Sequence, residues 1–277
     1  MDEHGIKTMK LYHQVERVFN ELTALGIGQS DPVDVELLSQ FDQYHYFGTA
    51  AVDEGVRRLN ISQAMEVLEV GGGIGGPSRH IAHCTGCRIT ALELQPDLNK
   101  TAEALTARCG LSAQVSHVCG DILAGAPKEG YYDALVSWLT FLHIADRPNL
   151  YRHCFEAIKP GAGIYAEDFF DRNQLTESEK QVLSVDVASD YTPHFDTYFD
   201  DLDRAGFVDI KLTDMTESWM DYSRQRVAAY RDNWSRNVEL HGRELVEGLD
   251  HFYSSVDNLF NGGNFGGIRI EARKSAR

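Results

Sequence analysis

The stretch VLEVGGGIGGPSRHIA, residues 67–82, decides the fold. VLEV reads as a buried strand, five glycines fall within the six positions 71–76, and PSRHIA opens a helix with proline in its first turn. A strand that runs through glycines into a helix is the first turn of a doubly wound α/β sheet, where ligands sit beyond the carboxyl ends of the strands. Glycines there permit positive φ and let backbone N–H groups lie against a bound anion or ribose.

Outward from that turn the pattern alternates. MEVLEV (65–70), RITALEL (88–94), AQVSHV (113–118), YYDALVSW (131–138) and GIYAEDFF (163–170) read as strands. Helices are expected from Pro77, over 96–108, and over 145–158 where Pro160-Gly161 stops the last one. Such spacing implies parallel, right-handed βαβ units. A helical stretch, 175–205, leads to a sixth strand, FVDIKLTDM (207–215). Another, 217–258, leads to an alternating seventh, FGGIRIEARK (265–274).

Ahead of the sheet, residues 7–27 have an amphipathic pattern with Leu11, Val15, Val18, Phe19 and Leu22 near helical spacing, ended by Gly26 and Gly28. Ser30-Asp31-Pro32 signals a short helix through Leu38. FDQYHYFGT follows as an aromatic connector, and then a helix from Ala50 to Leu59. The expected organisation is a helical lid segment over 1–60 and an α/β core over 61–277, with cap insertions at 175–205 and 217–258.

The 277-residue chain carries a formal charge of −16, with 43% hydrophobic and 25% charged residues. That field repels phosphate backbones, which argues against nucleic acid as a partner and favours cationic small molecules. MDEHGIKTMK has no apolar signal core, and no run of 18 apolar residues occurs, so no membrane span is expected. The cysteine count, five, is odd, and a reducing, cytoplasmic setting fits. His80, His83, Cys84 and Cys87 could supply four zinc ligands on paper, but the run crosses from a helix into a strand, and no metal is expected.

Two cofactors compete for the glycine loop. Gly71-x-Gly73-x-x-Gly76, with Glu93 at the next strand end, fits the dinucleotide fingerprint. The other reading rests on Glu69 followed by Gly71, Gly73 and Gly75, then Glu93-Leu94 ending the second strand, then Asp121-Ile122 in CGDIL, then Ser137 ending the fourth strand. In that order these residues resemble the motifs of class I S-adenosylmethionine-dependent methyltransferases. The resemblance implies S-adenosylmethionine as cofactor, S-adenosylhomocysteine as product, and a Rossmann-like doubly wound seven-stranded sheet with an antiparallel last strand. It places Glu93 on the ribose, Asp121 on the adenine amine, and Ser137 in the motif lining the methionine end.

VSWLTFLHIADRPNLYRHCFEAIKPGAGIYAEDFF (136–170) and DMTESW (214–219) are similar to segments of small-molecule amine methyltransferases, the sarcosine/dimethylglycine and phosphoethanolamine enzymes. In the latter an FLH-like triplet carries a catalytic histidine, which falls here on His143. Three departures stand out. The group's acid in SxDAxLH falls on Leu139. Ser189-Asp190 replaces a phosphate-binding basic residue ahead of Tyr191-Thr192, which argues against phosphoethanolamine itself. The histidine's tyrosine partner is matched only loosely, by Tyr44 or Tyr46.

The expected activity is methyl transfer to a small nucleophile, an amine before a thiol or hydroxyl, with His143 as base. Tyr46 joins the expected cofactor contacts. Tyr44, Trp138, Asp168, Tyr191 and Trp219 are the expected acceptor contacts, aromatic faces and carboxylates being suited to a cation. A nicotinamide oxidoreductase and a non-catalytic binding protein on the same fold are the alternatives.

Overall fold

The computed structural model describes residues 15–276. Its centre is a seven-stranded sheet of order β3-β2-β1-β4-β5-β7-β6. The strands are β1 (Glu66–Val70), β2 (Arg88–Glu93), β3 (Val115–Cys119), β4 (Tyr132–Trp138), β5 (Ile158–Asp171), β6 (Phe207–Asp214) and β7 (Phe265–Lys274). β1 to β5 pair in parallel, and β7 runs antiparallel between β5 and β6.

The central strands β1, β4 and β5 are buried on both faces, as the parallel part of such a sheet must be. Val67, Ala134 and Tyr165 look into one core, beneath helices α3 (Thr49–Leu59) and α4 (Gly76–Thr85). Their neighbours Leu68, Leu135 and Ile164 look into the other, beneath α6 (Arg147–Ala157) and α8 (Phe195–Arg204). Between α4 and α6 in the chain lies α5 (Pro96–Arg108), which buries Leu98 and Leu105 against α1 (Glu16–Ala24) and α2 (Val35–Leu38). The sheet order reverses between β1 and β4, so a crevice opens where their carboxyl ends diverge.

Further along the chain come α7 (Glu177–Asp186) and the three helices α9 (Thr216–Asp232), α10 (Trp234–His241) and α11 (Arg243–Gly262). They enclose an apolar cluster of their own around Tyr46, Phe169, Trp219, Phe252 and Phe265. Among the described residues no helix is long and apolar enough to cross a membrane.

Several boundaries differ from the sequence reading. The stretch 175–205 is two helices, α7 and α8, because SDYTPH at 189–194 runs between them with Pro193. The stretch 217–258 is three, broken at Asn233 and at Gly242, whose φ is +84°. The short second helix is capped by Asp34, which accepts from the Glu36 and Leu37 N–H groups, and not by the Ser30–Pro32 run. Val33 donates instead to the Arg108 carbonyl at 3.0 Å, and Asp31 donates to the Gly28 carbonyl at 3.2 Å, so that run is a turn. β5 begins at Ile158, and the register shift after Tyr132 absorbs Pro160 and Gly161. Of the helix expected over 7–27, the part before residue 15, with Leu11, lies outside the described residues.

Candidate active site

The crevice at the head of β1 and β4 is a cleft floored by the glycine loop. Gly71 has φ +78°, and a Cβ there would strike the Thr140 side chain, so β1 and the segment after β4 touch because this residue is bare. Gly73 has φ +52°, and the place of its missing Cβ is open space, which leaves the backbone accessible from the cleft.

Four carboxylates line this cleft among the described residues, Asp42 and the three acids expected from the sequence. Glu69 is 1% exposed and accepts from the Ser78 hydroxyl; burial pushes its pKa up to about 8, against the pull of Ser78 and Arg79. Glu93 accepts from the Gly73 N–H at 2.8 Å and the Gln95 N–H at 2.9 Å, and burial raises its pKa too. Asp121 caps the short turn Ile122–Ala124, accepting from the Leu123 N–H at 2.9 Å. Leu94, Ile122, Tyr44 and Trp138 also face the cleft.

His143 ends the single-turn helix Phe141–His143. Its Nδ1 lies 2.9 Å from the Ala188 carbonyl, so Nδ1 carries the proton and Nε2 the lone pair. Burial lowers its pKa, opposed by that carbonyl and by the Asp168 charge, which keeps the ring neutral near pH 7. His143 and Tyr44 line both the cleft and a second, narrow apolar chamber. Leu139, Leu142, Phe169, Phe252 and Val256 form much of the chamber's wall, with Arg226 from α9.

Six of the expected contacts lie off the cleft wall, Asp168 among them. Tyr46 is in the chamber wall, stacked on Trp219 at 4.2 Å. Trp219 is wholly buried behind it and reaches neither cavity. Ser137 spends its hydroxyl on the Val70 carbonyl at 2.8 Å and joins β4 to β1. Gly75 faces Arg79 and His117, so it makes room for packing rather than for a ligand. Tyr191 is 39% exposed and lines neither cavity.

Asp168 lines neither the cleft nor the chamber. It is wholly buried, with Oδ2 accepting from Arg147 at 2.9 Å and from the Tyr198 hydroxyl at 2.7 Å. Its Oδ1 accepts from the Leu142 N–H at 3.0 Å, so it holds the turn that carries His143. Asp190 is exposed and accepts from Ser184 at 2.6 Å. Among the described residues no carboxylate lines the chamber, and the groups there suited to a cation are the aromatic rings of Tyr44, Tyr46, Phe169 and Phe252.

Asp42, His45, Gln95 and Thr140 also line the cleft, and the sequence reading passed over them as contacts. Gln95 lies two positions past a strand-end acid, a local signal that was there to use. Asp42 and Thr140 reach the loop only through tertiary pairing. The His80–Cys87 run converges only in part: Cys87 is buried in the core, whereas His80 meets Asp53 at 2.7 Å and Cys84 at 3.7 Å, and the ligand atoms of these three lie within 4.8 Å of one another.

The fold and this cleft define a class, the class I methyltransferase architecture. Residues 67–161 match the family described as a methyltransferase domain. The chain is 25% identical over 272 residues to the sarcosine/dimethylglycine N-methyltransferase of Halorhodospira halochloris, covering 96% of this chain and 94% of that enzyme. It is 28% identical over 173 residues to phosphoethanolamine N-methyltransferase 1 of Triticum aestivum, covering 62% of this chain but only 34% of the wheat enzyme. The structure of phosphoethanolamine N-methyltransferase 2 of Haemonchus contortus, in complex with phosphomonomethylethanolamine and S-adenosylhomocysteine, superposes with a TM-score of 0.79 at 18% identity. That superposition covers 93% of this chain and 57% of the nematode chain, and it is a likeness of fold.

Proposed function

We propose that the chain transfers the methyl group of S-adenosylmethionine to the nitrogen of a small amine. The observation that carries this reading is the shared wall: His143 and Tyr44 are the two residues common to the cofactor cleft and the apolar chamber.

The cleft residues suit the cofactor. The open backbone at Gly73 can take the amino-acid end, Glu93 the ribose hydroxyls, and Asp121 the adenine amine, each a charged or backbone group at a strand end. Bound there, S-adenosylmethionine supplies an electrophilic methyl carbon on a positively charged sulfur. The chain's own part is positioning and proton handling. An amine with a pKa of about 10, by analogy with lysine, arrives as an ammonium. The neutral His143 takes one proton at Nε2, and the freed nitrogen lone pair becomes the nucleophile. The Ala188 carbonyl holds the ring in that tautomer, and Asp168 holds its turn. The helices of 1–60 and of the two insertions act as the lid, with Tyr44, Phe252 and Val256 as its inner face.

The test is release of S-adenosylhomocysteine over a panel of amines, thiols and hydroxyls, with the wild type and His143→Ala. An amine acceptor should lose about 10²-fold or more in kcat in the variant. A thiol, already nucleophilic as its thiolate, should lose little, and that pattern would replace nitrogen by sulfur in this reading. Calorimetric binding of NAD without S-adenosylhomocysteine would return the loop to the oxidoreductases.

A further inference from the structure

We propose that Asp53, His80 and Cys84 form a site for one divalent transition-metal ion of the zinc kind, outside the cleft and separate from methyl transfer.

The three side chains come from the two helices that bracket β1. His80 and Cys84 stand four positions apart on α4, so they share one face of it. Asp53 meets them from α3. His80 Nε2 lies 2.7 Å from Asp53 Oδ1 and 3.7 Å from Cys84 Sγ, and the ligand atoms of all three lie within 4.8 Å of one another. A nitrogen and a sulfur on one tetrahedral zinc, at about 2.0 and 2.3 Å, are roughly 3.5 Å apart. The histidine and cysteine already stand near that spacing. The Asp53 side chain is 60% exposed, so it has room to open from hydrogen-bond to ligand distance.

The backbone beneath these ligands is fixed. Val52, beside Asp53, and Ile81, beside His80, are wholly buried in the core that α3 and α4 share. Ligands on packed helices keep their spacing. The linear run of histidines and cysteines does not make this site: Cys87 is in the core, His83 is outside the group, and the third ligand comes from 27 residues before His80.

The mixed donor set selects the ion. One imidazole nitrogen, one sulfur and one carboxylate oxygen suit zinc and cobalt, whereas magnesium and calcium favour oxygen alone. Nε2 now donates to Asp53, and the ion takes the place of that proton. The ring binds as its Nδ1–H tautomer, Cys84 binds as the thiolate with its proton released to solvent, and water fills the fourth position. The surroundings favour a cation. Burial, then the charges of Asp53 and of Glu36 on α2, hold the Cys84 thiol above its ordinary pKa, and a bound cation reverses that field. None of the three ligands lines the cleft or the chamber, so the ion staples α3 to α4 and takes no part in the chemistry.

The experiment titrates Zn2+, and separately Co2+, into the full chain after treatment with a chelator, under a reductant that contains no thiol. One Zn2+ should bind per chain and raise the melting temperature. The Co2+ form should show thiolate-to-metal charge-transfer absorption in the near ultraviolet. Cys84→Ser, His80→Gln and Asp53→Asn should each weaken Zn2+ about tenfold or more, and Cys84→Ser should abolish the absorption. His83→Gln should stay within about twofold of the wild type, as should S-adenosylhomocysteine affinity in every variant. Absence of Zn2+ binding would overturn the proposal. So would a loss smaller than tenfold in Cys84→Ser or His80→Gln, a Co2+ form without the thiolate absorption, or Mg2+ displacing Zn2+ at equal concentration. A loss in His83→Gln as large as in His80→Gln would overturn it too, because the ion would then sit on surface histidines at large. These readouts need no methyl acceptor, so they are decided independently of the methyl-transfer reading.

Discussion

Arg79 donates from Nη2 to Asp42 at 2.8 Å, with both side chains 1% exposed. The pair ties α4, which leaves the glycine loop, to the aromatic connector 37 residues earlier. A Cβ on Gly76 would strike the Asp42 carbonyl, so connector and loop are in direct contact. The ion pair clamps the cleft's roof, to which Asp42, Tyr44 and His45 belong.

Breaking one side of that pair should be worse than removing both. Asp42→Ala leaves a buried guanidinium uncompensated and should cost about 3–5 kcal/mol of stability. The double variant with Arg79→Met should regain a substantial part of it, because an apolar side chain of similar length has no charge to desolvate. Denaturant melts of the two variants check this. Equal destabilisation by both would show that the packing of the arginine stem, and not the charge, holds the roof.

Glu93 connects the loop to the cofactor reading. It accepts from the Gly73 and Gln95 N–H groups, so it shapes the loop as well as facing the cleft. Glu93→Ala removes a charge-assisted pair and, on the proposed placement of the cofactor, its ribose contact, and S-adenosylhomocysteine affinity should fall about 10- to 100-fold. Glu93→Gln keeps an acceptor oxygen and should lose less. Calorimetry on both variants gives the comparison; an alanine variant that binds within about twofold of wild type would take Glu93 out of the site.

How far the sequence could be read follows from what is local. The βα alternation and the glycine turn are encoded within a few residues of each other, so the strands and the floor of the cleft were legible. The aromatic connector was visible as composition, but its clamp was not, because Asp42 and Arg79 meet only once α4 has packed. Asp168 misled for the same reason. A strand-end acid reads as a ligand contact until Arg147 and Tyr198, which lie 21 residues before it and 30 after, are seen to take its oxygens. Trp219 likewise reads as a cage wall in sequence and is the floor beneath Tyr46 in the fold. The apolar chamber draws on the connector, the segment after β4, β5, α9 and α11 at once, and no window of sequence contains it.

Glu69 gives the pH dependence a definite sign. Its ordinary pKa of 4.5 is raised to about 8 in the folded protein by burial, outweighing Ser78 and Arg79. A carboxyl whose folded pKa lies above its unfolded one binds its proton more tightly when folded. Its stabilising contribution is complete below pH 4.5 and is lost as pH rises through 8. Glu69→Gln removes this titration and keeps an oxygen for the Ser78 hydroxyl. The variant should therefore gain on the wild type between pH 4.5 and 8, by a few kcal/mol and at most about 4–5. His45, whose pKa burial lowers to about 4, destabilises both proteins as pH falls below 6.5, and it cancels in the difference. Chemical denaturation of the ligand-free pair at several pH values reads the slope directly. A difference that stays flat across that range would mean that Glu69 is charged in the folded state and stabilised by its neighbours, and that the loop is built around an anion.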